Sequence, residues 1–324
     1  NPATLSGGEK KRLLFGCLAA IDPSVWVLDE SLEELDAEWK VRAMEILRTR
    51  AKTALVLDSR WTGLLESTGD RFAVLADGRI DCRSDRPASP LLLSRLSQQG
   101  LAVSGAGHVT VTRPAGEPFL KAQGICHHFP DAGAFHLEID EVVVEKGSVC
   151  GLVGPNGSGK STLGKVLCGL IAPREGRVSV RDGGSFHPAR PEELNRRVGY
   201  LFQNPDHQIY LPTVQEELGL GLRMRGVGRE EAEERVRQAV RLFSLPGLDA
   251  RPALMSYGAR RRLQAATYWL LERDMLILDE VDSGLAFREL SDLTRELCSR
   301  TPCVLLITHD PEYASAVCDR VLSM

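Results

Sequence analysis

The sequence predicts an α/β protein in which helices cover a mainly parallel sheet. Three observations carry that expectation. Short continuous apolar runs recur at Ser148–Val153, Val198–Phe202, Met275–Leu278 and Cys303–Thr308, a pattern suited to strands buried on both faces. Between them, Leu163, Val166, Leu167 and Leu170 follow helical spacing, as do Val236, Ala239, Val240 and Phe243. A glycine-rich loop joins the first of these strands to the first of these helices.

Composition narrows the classes. The 324 residues are 43% apolar and 26% charged, which is ordinary globular usage and enough chain for about two domains. The net charge of -4 argues against a general nucleic-acid binder, which would carry a basic excess. No apolar run reaches the ~18–20 residues of a membrane helix; Leu13–Ile21 and Val149–Gly154 are too short. No basic-then-apolar leader suggests secretion. The eight cysteines form no C-x-x-C pair, so reduced, partly buried thiols are expected rather than zinc or disulfides.

The elements follow in order. Leu5-Ser6-Gly7-Gly8-Glu9 opens a helical stretch, Lys10–Ile21. Strand-like runs follow at Val25–Glu30 and Thr53–Ser59, then a hairpin signal at Ala76–Ile80. Adding 250 to these numbers finds the same landmarks: Met255-Ser256-Tyr257-Gly258-Ala259, then Met275–Glu280, then Cys303–His309. Landmarks holding register over about 65 residues imply a duplicated domain. The chain opens Asn1-Pro2-Ala3 and stops in a strand-like run at Met324. A fragment is therefore expected, with its first copy lacking the front half. The expected domains are 1–83, the end of the first copy, and 119–324, a nearly complete second copy. Residues 84–118, rich in Pro, Gly and Ser, read as a linker with one short helix at Leu91–Leu96.

Chemistry concentrates in the second copy. Gly154-Pro155-Asn156-Gly157-Ser158-Gly159-Lys160-Ser161-Thr162 fits G-x-x-x-x-G-K-[ST]. Its backbone N–H groups and the following helix start can cradle phosphates. Lys160 can reach the β- and γ-phosphates, and Ser161 can hold Mg²⁺. Asp279-Glu280 ends a strand, so one carboxylate can join the Mg²⁺ shell and the next can take a proton from water. Gln203, at another strand end, can coordinate metal or orient water. His309 ends the last long apolar run; taken alone, a histidine there is more often structural.

Together these motifs resemble the nucleotide-binding subunits of ABC transporters. The phosphate loop, Gln203, the signature pentapeptide, Asp279-Glu280, the turn Ser283–Leu285 and His309 stand in that family's order and spacing. The resemblance implies a P-loop ABC ATPase fold with a helical signature subdomain, here in tandem. It implies ATP and Mg²⁺ as cofactors, with Ser161, Gln203 and Asp279 around the metal and Glu280, His309 and Gln203 in hydrolysis. It also implies that Phe129 stacks on adenine; plain core packing is the competing reading. Family members pair head to tail, each ATP lying between one phosphate loop and the other signature. The pairing can be intramolecular or between chains. One site would then join the second copy's loop to Leu5–Glu9. The other would be degenerate, using Asp29, Glu30 and Ser59 with Ser256, Tyr257 and Gly258.

The run Phe202–Gln208, followed by Thr213–Glu217, is similar to energy-coupling-factor importers and their cobalt or nickel relatives. That implies vitamin or metal-ion cargo, peripheral placement on the cytoplasmic face of the membrane, and integral membrane partners docking near Gln203–Glu217. No nucleic-acid partner is expected. Three departures stand out: Tyr257 replaces a glycine of the signature, Ser59 stands where the second copy has His309, and Ala286 stands where the first has Asp36. His127, His128 and His207 match no family role and read as surface or loop residues. Alternatives remain: a soluble ABC ATPase acting on ribosomes or DNA, a phosphate-loop kinase, and a nucleotide-binding regulator with little turnover.

Overall fold

The computed structural model describes residues 7–32, 35, 37–101, 116–129, 136–282 and 284–324. Leu5, Ser6, Asp36 and Ser283 lie outside the described residues. The chain divides into two compact units, 1–108 with 282–290, and 109–281 with 291–324.

The first unit runs α1 (Gly7–Ile21), β1 (Val25–Asp29), α2 (Ala37–Arg50), β2 (Thr53–Leu57), α3 (Gly63–Thr68), β3 (Phe72–Ala76), β4 (Arg79–Ser84) and α4 (Pro90–Gln98). Strands β1 and β2 pair in parallel, and β3 and β4 form an antiparallel hairpin. Asp77 and Gly78 turn that hairpin with φ of 48° and 72°, as a two-residue turn with both central residues left-handed requires. Phe15, Trp26, Leu28, Met44 and Leu47 fill the core between α1, α2 and β1. Leu92 and Leu96 of α4 pack on Val74 and Cys82 of the hairpin. Val25, Val27 and Leu55 remain exposed.

The second unit begins with β5 (Pro118–His127), β6 (Leu137–Glu145), β7 (Ser148–Val153), α5 (Lys160–Leu167), β8 (Glu175–Asp182), β9 (Ser185–Pro188), α6 (Pro191–Arg197) and β10 (Val198–Leu201). Three helices follow, α7 (Val214–Met224), α8 (Arg229–Leu242) and α9 (Tyr257–Leu271). The chain closes with β11 (Met275–Asp279), α10 (Phe287–Arg300), β12 (Cys303–Thr308), α11 (Pro311–Val317) and β13 (Arg320–Ser323). Five parallel strands lie in the order β10-β11-β12-β7-β13. A second, antiparallel sheet, β6-β5-β8-β9, stands beside it. One apolar core, including Phe119, Val144, Leu163, Ile277 and Leu305, spans residues of both sheets and α5.

Helices α7, α8 and α9 pack on one another. Thr213 caps α7, accepting from the Glu216 N–H at 3.2 Å while its hydroxyl donates to the Glu216 carboxylate at 2.9 Å, a variant of the capping box. Ser256 caps α9 by accepting from the Ala259 N–H at 3.3 Å.

The offset of 250 also relates the two backbones. Val25 pairs with Thr53 in β1–β2, and Met275 with Cys303 in β11–β12. The Glu30 N–H donates to Leu57 O at 3.0 Å, and the Glu280 N–H to Ile307 O at 2.9 Å. Asp22 and Glu272 share left-handed φ values of 52° and 45°, as Glu30 and Glu280 do with 45° and 46°.

Two sequence readings need correction. Helix α5 ends at Leu167, so Leu170 falls beyond it and is half exposed; Gly169, with φ of 78°, turns the chain away first. His127 is not a surface residue: it ends β5, is 8% exposed, and meets the Phe129 ring edge-on at 4.8 Å.

Candidate functional site

All strands of the parallel sheet run the same way, so the C-terminal ends of β7, β10, β11 and β12 share one edge, where ligands bind in open α/β sheets. The phosphate-loop residues leave that edge after Val153 and enter α5. Gly157 and Gly159 have φ of 83° and 99°, a region where side chains are strained. They let the backbone curl at the start of an eight-residue helix, where its N–H groups can face an anion.

Lys160 is almost wholly buried, and its ammonium donates to Gly154 O at 2.8 Å and Pro155 O at 2.9 Å. Burial pushes its pKa below the ordinary value, while the charges of Glu280 and Asp279 push the other way. The cation is therefore folded back over its own loop, held by carbonyls that phosphate oxygens can replace.

Ser161 donates from Oγ to Asp279 Oδ1 at 2.9 Å. The Tyr200 hydroxyl donates to Asp279 Oδ2 and lies 3.3 Å from Ser161 O. Burial raises the Asp279 pKa, and the hydrogen bonds from Tyr200 and Ser161 pull it back down. Burial also drives the Tyr200 phenol upward, reinforced by the Asp279 charge.

Gln203 donates from Nε2 to Glu280 Oε2 at 2.8 Å, and His309 Nδ1 lies 3.8 Å from Glu280 Oε1. Two sequence-predicted residues thus face the carboxylate of a third. Asn156 and Thr162 are half-buried. Phe129 is 37% exposed and meets the His127 ring edge-on.

Ser161, Asp279 and Gln203 offer oxygen donors, one of them a buried carboxylate. Such a set suits Mg²⁺, which takes one or two carboxylates and completes its shell with water and phosphate.

In the first unit, Gly7, Gly8 and Glu9 form the first turn of α1. Asp29 is exposed, and Ser59 half-buried. Burial raises the Glu30 pKa, with Asp29 and Asp58 adding to it. Lys11 donates from Nζ to Glu30 O at 2.8 Å.

Sequence reasoning missed Tyr200, Arg261 and Gln264, and named Gln208 and Glu217 only as ends of importer-like runs. Gln208 donates to Tyr200 O and to the Tyr268 hydroxyl, both at 2.8 Å, and accepts from the Phe202 N–H at 3.0 Å. The buried Glu217 accepts from the Tyr210 and Leu211 N–H groups at 3.0 and 2.8 Å. It shapes a groove of about 670 Å³ lined by Ile209, Tyr210, Leu211, Pro212 and Pro252. Tyr200, Arg261 and Gln264 carry no such signal, because the Asp279, Gln203 and Phe202 groups they touch lie 79, 58 and 62 residues away.

The arrangement defines a class. The second unit has the ABC ATPase fold, and residues 137–283 match the family model described as ABC transporter. Among similar proteins, the "Putative ABC transporter ATP-binding protein" of Methanosarcina mazei is 30% identical over 334 residues, 100% of this chain and 65% of that protein. The "Putative HMP/thiamine import ATP-binding protein YkoD" of Bacillus subtilis is 28% identical over 99% of this chain and 64% of its own length. The structure of cbiO1 from Clostridium perfringens, described as part of the ABC transporter complex cbiONQ, superposes with a TM-score of 0.56 at 27% identity, covering 64% of this chain and 85% of that one. The chain spans roughly half to two thirds of the length of the curated relatives it matches, between 47% and 65% for the first few.

Proposed function

We propose that this chain is an ATP-binding and ATP-hydrolysing motor of an ABC importer that works through separate membrane subunits. The observation that carries this is the convergence at one sheet edge of Lys160, the Ser161–Asp279 pair and the Gln203–Glu280–His309 cluster. The family match and the transporter names of its relatives support it.

In this reading Lys160 leaves the carbonyls of Gly154 and Pro155 for the β- and γ-phosphates. Glu280 takes a proton from the attacking water. Gln203 fixes one carboxylate oxygen of Glu280, and His309 faces the other. Ser161, Asp279 and Gln203 would hold Mg²⁺, whose charge offsets that of the transferred phosphoryl group. The protein supplies position and electrostatics more than covalent chemistry.

The second domain, 119–324, pairs with another ATPase domain whose signature completes the site, and Leu5–Glu9 belongs to such a signature. The groove at Ile209–Pro212 takes a short helix of an integral membrane partner, which sets the chain on the cytoplasmic face of the membrane. A vitamin or metal ion is the proposed cargo class; the import of HMP or thiamine named for YkoD accords with the former.

The test uses nucleotide titration and phosphate release on the full chain. Glu280→Gln keeps ATP binding and loses about 10²–10⁴ in turnover, the usual worth of a general base. Lys160→Ala loses binding itself. Wild-type turnover in Glu280→Gln would remove the assignment.

A further inference from the structure

Tyr257 is the residue that breaks the signature pattern, and its side chain has an inward partner. It opens α9, and its hydroxyl donates to Gln203 O at 2.9 Å. Arg261, one turn later, is fully buried. Its Nη2 donates to the Tyr257 hydroxyl oxygen at 2.9 Å and also to Gln203 O. Its Nη1 donates to Phe202 O at 2.7 Å and to Gln264 Oε1 at 3.0 Å. Burying a guanidinium is costly unless its N–H groups are satisfied; here two bonds go to the carbonyls of Phe202 and Gln203 and two to the side chains of Tyr257 and Gln264. Gln264 donates to Phe202 O at 3.1 Å, so three side chains of α9 grip two consecutive peptide groups. The gripped residue is the one whose amide holds Glu280 at 2.8 Å.

The residue types at the matching positions of the first unit differ. Gly7 stands for Tyr257 and offers no hydroxyl. Lys11 stands for Arg261, and its ammonium goes instead to Glu30 O.

We propose that Tyr257 and Arg261 are positioning residues for Gln203, clamping its backbone so that its amide stays on the Glu280 carboxylate. On this account Tyr257 is more than a defect in a nucleotide-contacting turn: it ties the signature helix to the hydrolytic centre of its own unit. The inference rests on the ATPase reading for its catalytic consequence, and on geometry alone for the clamp.

The experiment compares wild type, Tyr257→Phe, Gln203→Ala and the double variant as full chains. Tyr257→Phe keeps the ring and removes only the hydroxyl. It should lower kcat about two- to tenfold, the worth of one hydrogen bond, with the Kd for ATP unchanged. In the Gln203→Ala background the same change should cost nothing further, whereas a merely structural role would cost the same in both. Amide exchange in Val198–Gln208 should quicken about two- to tenfold in Tyr257→Phe, with the end of α9 unaffected. An unchanged exchange rate, or equal kcat losses in both backgrounds, would overturn the clamp. Quickened exchange in Tyr257→Phe, with a wild-type chain that itself releases no phosphate, would keep the clamp and remove the ATPase reading instead.

Discussion

Replacing Tyr200 by Phe isolates one hydroxyl in the centre of the site. Tyr200 and Asp279 are only 3% and 4% exposed, so water does not take the place of a lost partner. The ring stays, and no cavity opens. What is lost is a hydrogen bond to a carboxylate, worth about 1.5–3 kcal/mol, or roughly a ten- to hundredfold change in an unfolding constant. Asp279 Oδ2 then loses this bond, and the Asp279 pKa rises further above its ordinary range, because the Tyr200 bond is one of the two hydrogen bonds that lower it. Urea unfolding of the full chain at neutral pH, followed by the fluorescence of Trp269 in the second unit, reads the change. The control is the same substitution in an Asp279→Asn background. There the partner is neutral, and such bonds are about half as strong, so the loss should fall to about 0.5–1.5 kcal/mol. Equal losses in the two backgrounds, or a loss below about 0.5 kcal/mol in the wild type, would refute the claim that this hydroxyl stabilises a buried charge.

Two unequal ATP sites are expected from the intact set around Glu280 and the substitutions Ser59 and Tyr257: Glu280→Gln should remove nearly all phosphate release and Glu30→Gln little, and equal losses would contradict this. Burial holds the folded pKa of Asp279 above 3.8, so its contribution to stability is complete below that value and is lost as pH rises through the raised folded pKa. Asp279→Asn should therefore lose less stability than wild type on going from about pH 4 to neutrality, while losing turnover; parallel thermal-melt curves would count against it. Burial pushes Cys168 up to about 11 and Cys303 and Cys318 up to about 12, whereas Cys17 is exposed. An alkylating reagent at mild alkaline pH should modify Cys17 and spare those three, as mass mapping would check.

Linear motifs made much of the site legible. The loop at Gly154–Thr162 and the acids at Asp279-Glu280 are fixed by short-range spacing, and the parallel strands announce themselves as unbroken apolar runs. The antiparallel sheet was harder to see. Leu137 and Ile139 alternate with Glu138 and Asp140, a period-two signal, but Val142–Val144 then reads as a plain apolar run. Tyr200 carries no signal of its own within the apolar run Val198–Phe202, and its partner lies 79 residues away. Arg261 sits among three consecutive arginines, Arg260–Arg262, which suggest a solvated face; only the folded chain shows the middle one buried. His127 misled for the opposite reason. Matching no role in the family the motifs resemble, it reads as a surface or loop residue, yet strand alternation points it inward.

The left-handed glutamates carry an evolutionary consequence. A non-glycine residue held at φ near 45° costs of order 1–3 kcal/mol, and among the described residues six bear that load, Glu30 and Glu280 among them. Under selection for thermal robustness alone, both positions are open to replacement by glycine or asparagine, which accept that backbone shape more readily. The return on the load differs between them: Glu280 has an amide and an imidazole facing its carboxylate, while at the position matching that imidazole Glu30 has only a serine. Mutational drift should therefore erode the acid at 30 before the acid at 280, and a library of this chain sorted only for heat resistance would record, in the order of those losses, which half still works for its living.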